Sequence, residues 1–235
     1  MSSPHWRPLN AGTKALVLAV HFDPGAGGPG FADLAGDLAG ARLYETLPPR
    51  SAGAFDEESE PVAYIRPWLA EIPALGAPVR AVLGYCAGSS LAGILAAQIA
   101  RAGLGDPPLL VFAPQRVDAA TLATEFCAAI DRLAAQLSPD ELAAARHSAA
   151  AVQGEADLPA AAGALERAYR TAVEAATARL GVAPAMRRQL GDRFATYLAY
   201  LVACARAASV QLPAQAVLPH PPGGAAERVL ALLAH

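Results

Sequence analysis

The sequence predicts an α/β fold built on a mostly parallel sheet, with a set of helices inserted before the last strand. Short apolar runs alternate with helical patterns through residues 1–118, and this alternation is typical of a parallel, doubly wound sheet. The runs are continuous rather than alternating, which indicates strands covered on both faces. Residues 119–209 carry only helical patterns. We therefore predict an α/β core from residues 1–118 and 210–235 and a helical lid from residues 119–209.

Each element follows from a local pattern. Strands are predicted at 15–22, 42–47, 81–86, 109–113 and 210–219, and helices at 31–39, 61–72, 91–100 and 225–233. Inside the insertion, Ser138 is a good helix cap because Pro139 and two acidic residues follow it. Breaks between the later helices are predicted at 158–159 and 181–184, where proline or glycine interrupts the helical pattern.

Composition excludes several classes of protein. The 235 residues suit one α/β domain with an insertion, and 54% hydrophobic residues supply a large core. The net charge of -3, with scattered basic residues, argues against a nucleic-acid surface. Three cysteines without paired spacing indicate free thiols, a reducing compartment and no zinc site. No leader pattern or membrane-length apolar run is present, so we expect a cytoplasmic protein with no membrane partner.

The most informative motif is Gly84-Tyr85-Cys86-Ala87-Gly88, which joins a predicted strand to a predicted helix. This context is typical of a nucleophile elbow, in which a tight turn presents the reactive side chain and the flanking glycines avoid collisions. The N–H of Ala87 would point toward a developing oxyanion, and the helix N-terminus would favour the thiolate of Cys86. The alternative is a buried free cysteine at a strand–helix junction.

Other candidate residues follow the ends of neighbouring predicted strands. His220 follows the last strand and is a candidate base, and the N–H of Ala26, in a glycine-rich loop, is a candidate second oxyanion donor. His21 precedes that loop, and we group it with Tyr85 among the oxyanion and substrate-binding candidates. Asp118 is the candidate acid behind the base, with helix capping as the alternative.

The glycine-rich loop at 25–30 also raises the possibility of phosphate binding. It lacks the Gly-x-x-x-x-Gly-Lys-Ser/Thr pattern, and it lacks the Gly-x-Gly-x-x-Gly spacing of a dinucleotide site. We therefore expect no nucleotide and no other cofactor.

Taken together, the first strand with its glycine-rich loop, the elbow, the helical insertion and the late strand–histidine–helix resemble the α/β-hydrolase thioesterases of polyketide and nonribosomal peptide assembly lines, in their free-standing (type II-like) form. The resemblance implies that Cys86, in place of the usual serine, is acylated, and that His220 is the general base. It implies that Ala26 and Ala87 donate to the oxyanion. It also implies a partner: an acyl or peptidyl carrier protein with its phosphopantetheine thioester, or coenzyme A. The elbow also resembles that of dienelactone hydrolases, whose first loop fits less well.

The sequence departs from the thioesterase pattern at two places. The elbow helix begins Gly88-Ser89-Ser90 where paired glycines are usual, and the strand at 109–113 ends in alanine where an acid is usual. The pKa of a thiol is about 8.5 and is lower beside a histidine and at a helix N-terminus. Because the thiolate then forms readily, a Cys86–His220 pair needs little help from an acid.

Three functions stay open from the sequence. The first is thioester hydrolysis through Cys86, and the second is transfer or cyclisation of the Cys86-bound acyl group onto an amine or alcohol. The third is a non-catalytic module of the same fold that binds a carrier protein or acyl chain.

Overall fold

The computed structural model describes residues 4–13, 15–22, 30–38, 40–49, 61–208, 216–218, 222 and 225–233. The chain divides into two compact units. The first unit draws on Met1–Pro49, Ser59–Arg116 and Ala203–His235, and the described part of the second is Val117–Val202. The predicted α/β class with a mostly parallel sheet is confirmed.

The first unit is built on a six-stranded sheet with the order β1-β3-β2-β4-β5-β6. Its strands are β1 (Trp6–Pro8), β2 (Leu16–Val20), β3 (Arg42–Thr46), β4 (Val79–Tyr85), β5 (Leu109–Phe112) and β6 (Ala216–Leu218). Only β1 among these strands pairs antiparallel with its neighbour. Because the other five strands are parallel, their carboxyl ends lie along one edge of the sheet, where sites in this class of fold gather.

The described residues also form helices. They are α1 (Ala32–Ala35), α2 (Pro61–Glu71), α3 (Gly88–Arg101), α4 (Ala119–Asp131), α5 (Pro139–Val152), α6 (Leu158–Ala178), α7 (Pro184–Ala207) and α8 (Ala226–Leu233), with short 3-10 turns at Ile72–Leu75 and Ala134–Gln136. Within the described residues, no helix combines the length and the apolar character that a membrane span requires.

The core of the first unit explains its continuous apolar strands. Every residue of β2 is buried, as expected for a central strand with both faces covered. On one face, Phe31, Leu34 and Val229 pack with Phe112 and Leu218 from the last two strands.

The first unit differs from the sequence-based prediction in one helix and one strand. The helix predicted at 31–39 is regular only over Ala32–Ala35. β1 was not predicted, because three residues ending in proline give too short a pattern for a strand. Its pairing with β3 carries His5 to α2, where His5 Nδ1 lies 2.5 Å from Glu71 Oε1.

The second unit is helical, and its helices begin where the sequence indicated. Ser138 and Glu141 form a capping box at the start of α5, and Asp157 caps α6. Helices α4, α5 and α6 pack against one another. Glu141 also accepts a bond from Arg179 at 2.8 Å, and this bond is the main reason that the pKa of Glu141 falls to about 2. The role of this unit as a lid stays a prediction.

Candidate functional site

The turn between β4 and α3 holds Cys86 in a backbone conformation that side chains rarely adopt. β4 ends at Tyr85, α3 begins at Gly88, and Cys86 between them has a φ of 53°. A Cβ atom on Gly84 would lie 2.7 Å from Ser89 Cα, so this close approach of strand and helix requires glycine. The half-buried thiol of Cys86 therefore stands at the tip of a tight, sterically constrained turn.

Backbone hydrogen bonds hold Cys86 in this conformation. Its N–H donates to the carbonyl of Phe112 at the end of β5, at 3.0 Å. Its carbonyl accepts from the N–H of Ser89 at 3.2 Å and from the N–H of Gln115 at 3.3 Å. Strain at a non-glycine residue persists only where the surroundings fix it, and these bonds from two elements do so.

Gln115 is the residue at this turn that the sequence analysis missed. It follows β5, and its Oε1 accepts the Cys86 Sγ–H bond at a sulfur–oxygen distance of 2.8 Å. The loop that carries it starts at Ala113, which has a φ of 41° and donates its N–H to the carbonyl of Leu218 at 2.6 Å. Cys86 and Ala113 are the two non-glycine residues with positive φ in the described part of the chain.

A different set of polar side chains occupies the ends of β2 and β3. His21 Nδ1 lies 3.3 Å from Glu45 Oε1, and Glu45 also pairs with Arg7. Thr46 accepts from the N–H of His21 at 3.3 Å and donates to the His21 carbonyl at 3.2 Å. Only 6% of the Glu45 side chain and 13% of the His21 side chain are exposed, so this group is almost entirely buried.

Tyr85 lies between these two sets of residues. Val20 pairs with Gly84, so the next residues of the parallel strands, His21 and Tyr85, are neighbours, and their ring centroids are 5.1 Å apart. The Phe31 ring packs edge-on against Tyr85 at 6.3 Å. Burial raises the pKa of Tyr85 above its ordinary value of 10.0, and the neighbouring Cys86 raises it further.

The other predicted site residues fall in different places. Ala87 is buried and precedes the first residue of α3, where its N–H belongs to the helix N-terminus. Asp118 caps α4, accepting from the N–H of Thr121 at 2.8 Å and from its hydroxyl at 2.9 Å. Ala26 and His220 lie outside the described residues. Among the side chains that the structure describes, no group of three or more His, Cys, Asp or Glu is arranged to hold a metal ion.

Comparisons with known proteins concern the fold. No protein-family model matches the sequence, and no curated protein matches it either. A four-domain nonribosomal peptide synthetase bound to AMP and glycine matches 97% of this chain with a TM-score of 0.50 and 15% identity. The match covers 20% of that synthetase, so this chain spans about a fifth of its length.

Two further solved structures have lower TM-scores. The NocB thioesterase domain, in covalent complex with a fluorophosphonate nocardicin G analogue, has a TM-score of 0.47 and 18% identity over 91% of this chain and 75% of its own. A proline iminopeptidase-related protein from Thermus thermophilus has a TM-score of 0.41 and 15% identity over 97% of this chain and 90% of its own. The likeness to these structures concerns the fold, and the fold class of the chain is α/β with a mostly parallel sheet.

Proposed function

We propose that this protein is a thioesterase-like enzyme of natural-product biosynthesis that acts on acyl thioesters through Cys86. The observation that carries the proposal is the positive φ of Cys86 at the tight turn between β4 and α3, together with its half-buried thiol. A residue held in a strained backbone conformation at a strand–helix turn is costly to keep, and such outliers cluster at active sites.

In the proposed mechanism, His220 removes the proton from Cys86 Sγ. β6 lies beside β5, which lies beside β4, and β6 ends two residues before His220 in the sequence. The thiolate attacks the thioester carbonyl, and the N–H groups of Ala87 and Ala26 bind the tetrahedral oxyanion. As the oxyanion collapses, the carbon–sulfur bond to the leaving thiol breaks, and His220 returns its proton to that thiol. The acyl group is then joined to Cys86 as a new thioester.

The substrate in this proposal is a thioester of a phosphopantetheine carrier protein or of coenzyme A. Exchange of one thioester for another loses little free energy, so cysteine suits this substrate class. His220 acting as base would then take a proton from a water molecule, which attacks the carbonyl of the Cys86 thioester. The carbon–sulfur bond breaks, the acid leaves, and His220 returns the proton to the Cys86 thiolate.

Transfer or cyclisation is the second candidate function, and the same cysteine supports it. An acyl group on Cys86 stays a thioester and remains reactive toward an amine or alcohol, whereas an acyl group on serine would be a less reactive oxyester. The helical unit, Val117–Val202, would exclude water from the acyl-enzyme if it acts as the predicted lid.

Intact-protein mass spectrometry after incubation with a short-chain acyl coenzyme A tests the proposal. We expect a single acyl adduct on the wild type and on Cys127→Ala, the matched control in α4, and none on Cys86→Ala. An adduct that is released only after an amine is added would favour transfer. If the wild type binds the substrate without forming an adduct, the non-catalytic module is the correct function.

The role of His220 is tested by the pH dependence of Cys86 alkylation. A Cys86–His220 ion pair lowers the pH at which the thiolate forms, so His220→Ala should move the midpoint of the alkylation profile to higher pH. His147→Ala, an exposed position in α5, is the control. Equal midpoints in the wild type and His220→Ala would refute the pair.

Asp118 enters the proposal as the candidate acid behind His220, and its capping bonds allow a clean test. Asparagine caps helices about as well as aspartate, so Asp118→Asn keeps the start of α4 while removing the charge. We expect the acylation rate to change less than about twofold, because a thiol–imidazole pair works without an acid. A loss of about a thousandfold or more would instead identify Asp118 as the triad acid.

A further inference from the structure

The loop after β5 is built to bring one side chain to the Cys86 thiol. β5 pairs with β4 up to Tyr85↔Phe112, so the residues after each strand emerge side by side. Ala113 then turns the chain through a positive φ of 41°, and Gln115 returns to Cys86. The positive φ at Ala113 costs free energy without a glycine to relieve it, so this turn, like the one at Cys86, is maintained by its surroundings.

Gln115 makes two separate hydrogen bonds to the same residue. Its N–H donates to the Cys86 carbonyl at 3.3 Å, and its side-chain Oε1 accepts from Cys86 Sγ at 2.8 Å. The first bond fixes the backbone at the tip of the turn, and the second fixes the direction of the thiol.

The carboxamide of Gln115 can both accept and donate a hydrogen bond, whereas a charged side chain such as a carboxylate at this position could not do both. A carboxamide carries an acceptor oxygen and a donor N–H₂ group at nearly the same place, and its terminal torsion is broad and roughly two-fold. It therefore accepts from a neutral thiol in one orientation and donates to a thiolate in the other. A carboxylate in the same place could accept from the thiol but would repel the thiolate.

We propose that Gln115 is a positioning residue for Cys86, which accepts the S–H bond while the thiol is neutral and, after a half-turn of its carboxamide, donates an N–H bond to the thiolate. This inference rests on the proposed function, in which Cys86 loses its proton to His220 before it attacks. Gln115 itself neither gains nor loses a proton. It lowers the free energy of the thiolate and keeps its direction of attack constant through the ionisation.

The test is the rate of Cys86 alkylation by iodoacetamide as a function of pH, with the modified peptide quantified by mass spectrometry. Gln115→Met keeps the length of the side chain and removes the donor, so we expect alkylation at pH 7 to slow about fivefold and the midpoint to move to higher pH. Gln115→Glu places a negative charge beside the sulfur, so we expect a larger loss, about tenfold or more. Gln153→Glu, at an exposed position after α5, is the control for added charge.

Two results would overturn the inference. An unchanged midpoint in Gln115→Met would show that the donor N–H does not act on the thiolate. An equal loss in Gln153→Glu and Gln115→Glu would show that only net charge matters. Gln115 is exposed, so thermal unfolding should confirm that its variants fold as the wild type does.

Alkylation needs no acyl substrate, so this test separates the inference from the proposed function. Shifted midpoints without an acyl adduct would refute the proposed function and leave the role of Gln115 standing. An acyl adduct with unshifted midpoints would refute the role of Gln115 alone.

Discussion

Two regions at the same edge of the sheet use polar residues in opposite ways. The β2–β3 end, which comprises His21, Glu45 and Thr46, is almost entirely buried and its charged carboxylate is paired within the fold. The β4–β5 end comprises Cys86, Ala113 and Gln115. There a half-buried thiol donates a hydrogen bond to a neutral amide, and Cys86 and Ala113 have a strained backbone conformation.

We propose that the difference separates polar groups that stabilise the fold from polar groups that are arranged for reaction. A buried carboxylate is tolerated because its oxygens find partners, and the loss of a partner is costly. A neutral pair at a partly exposed turn contributes little to stability, but the backbone strain around it fixes its geometry. Tyr85, which contacts His21 and precedes Cys86, connects the two regions.

The largest expected effect is a loss of stability at the β2–β3 end. Glu45→Ala should lower the free energy of unfolding by about 3 kcal/mol, because it leaves buried polar groups without their partner. Arg146→Ala is the control and should cost less than about 1 kcal/mol, since Arg146 pairs with Asp131 and both side chains are 60% exposed. Denaturant unfolding measures both changes.

The alkylation rate of Cys86 in the same variants tests whether the two ends act separately. Alkylation of Cys86 should change less than about twofold in Glu45→Ala, whereas Gln115→Met should show the reverse pattern, with slower alkylation and nearly unchanged stability. If Glu45→Ala slowed alkylation as much as Gln115→Met does, the two ends would not be functionally separate.

The second effect concerns the steric demand of the turn. Gly84→Ala places a Cβ against Ser89 Cα and Ala92 Cβ, so we expect a loss of about 2 kcal/mol in the free energy of unfolding. Gly36→Ala is the control, because Gly36 has a φ of -66° and a Cβ added there would meet no atom within 4 Å. Thermal and denaturant unfolding of the two variants measure the difference, and an equal cost at both positions would contradict a tight turn.

A smaller effect tests the strain itself. Glycine adopts positive φ without a steric penalty, so Cys86→Gly should be more stable than Cys86→Ala by about 1 kcal/mol, and Ala113→Gly should be more stable than the wild type by a similar amount. Thr46→Gly, at the other end, should lose stability, because Thr46 lies in a strand. A loss of stability in Ala113→Gly would show that the positive φ there is not strained.

The smallest effect is electrostatic and is measured by an absorbance titration of tyrosine. At alkaline pH the Cys86 thiolate is negative and disfavours the phenolate of Tyr85, so removing the thiolate favours the phenolate. The pKa of Tyr85 should therefore fall in Cys86→Ser, yet stay above 10.0, because burial is the larger cause of its increase. Cys127→Ser, in the helical unit, should leave this pKa unchanged.

The sequence predicted the sheet and the turn well, because both depend on local patterns. Continuous apolar runs identify buried strands such as β2, and two glycines around a cysteine identify a tight strand–helix turn. Ser138 and Asp118 could likewise be recognised as helix caps, since a cap is determined by the few residues that follow it.

The partners of the site residues depend on contacts that no local pattern records. Gln115 reaches Cys86 only because β5 pairs with β4 and because Ala113, which has no preference for positive φ, turns the chain back. Glu45 meets His21 because of the register of β2 and β3. A buried position for Glu45 could have been suspected, because it shares a strand face with Leu43, and a carboxylate on that face requires a partner.

The central claim is that Cys86 carries the acyl group, and mapping the adduct tests it most directly. After brief incubation with an acyl coenzyme A, tandem mass spectrometry should locate the acyl group on the Cys86 peptide, and neutral hydroxylamine should remove it as it removes thioesters. Lys14, the only lysine in the sequence, is the internal control for non-enzymatic acylation and would carry a resistant amide. An adduct confined to Lys14 or the N-terminus, or one on Cys86 that forms no faster than on Cys127, would contradict the account.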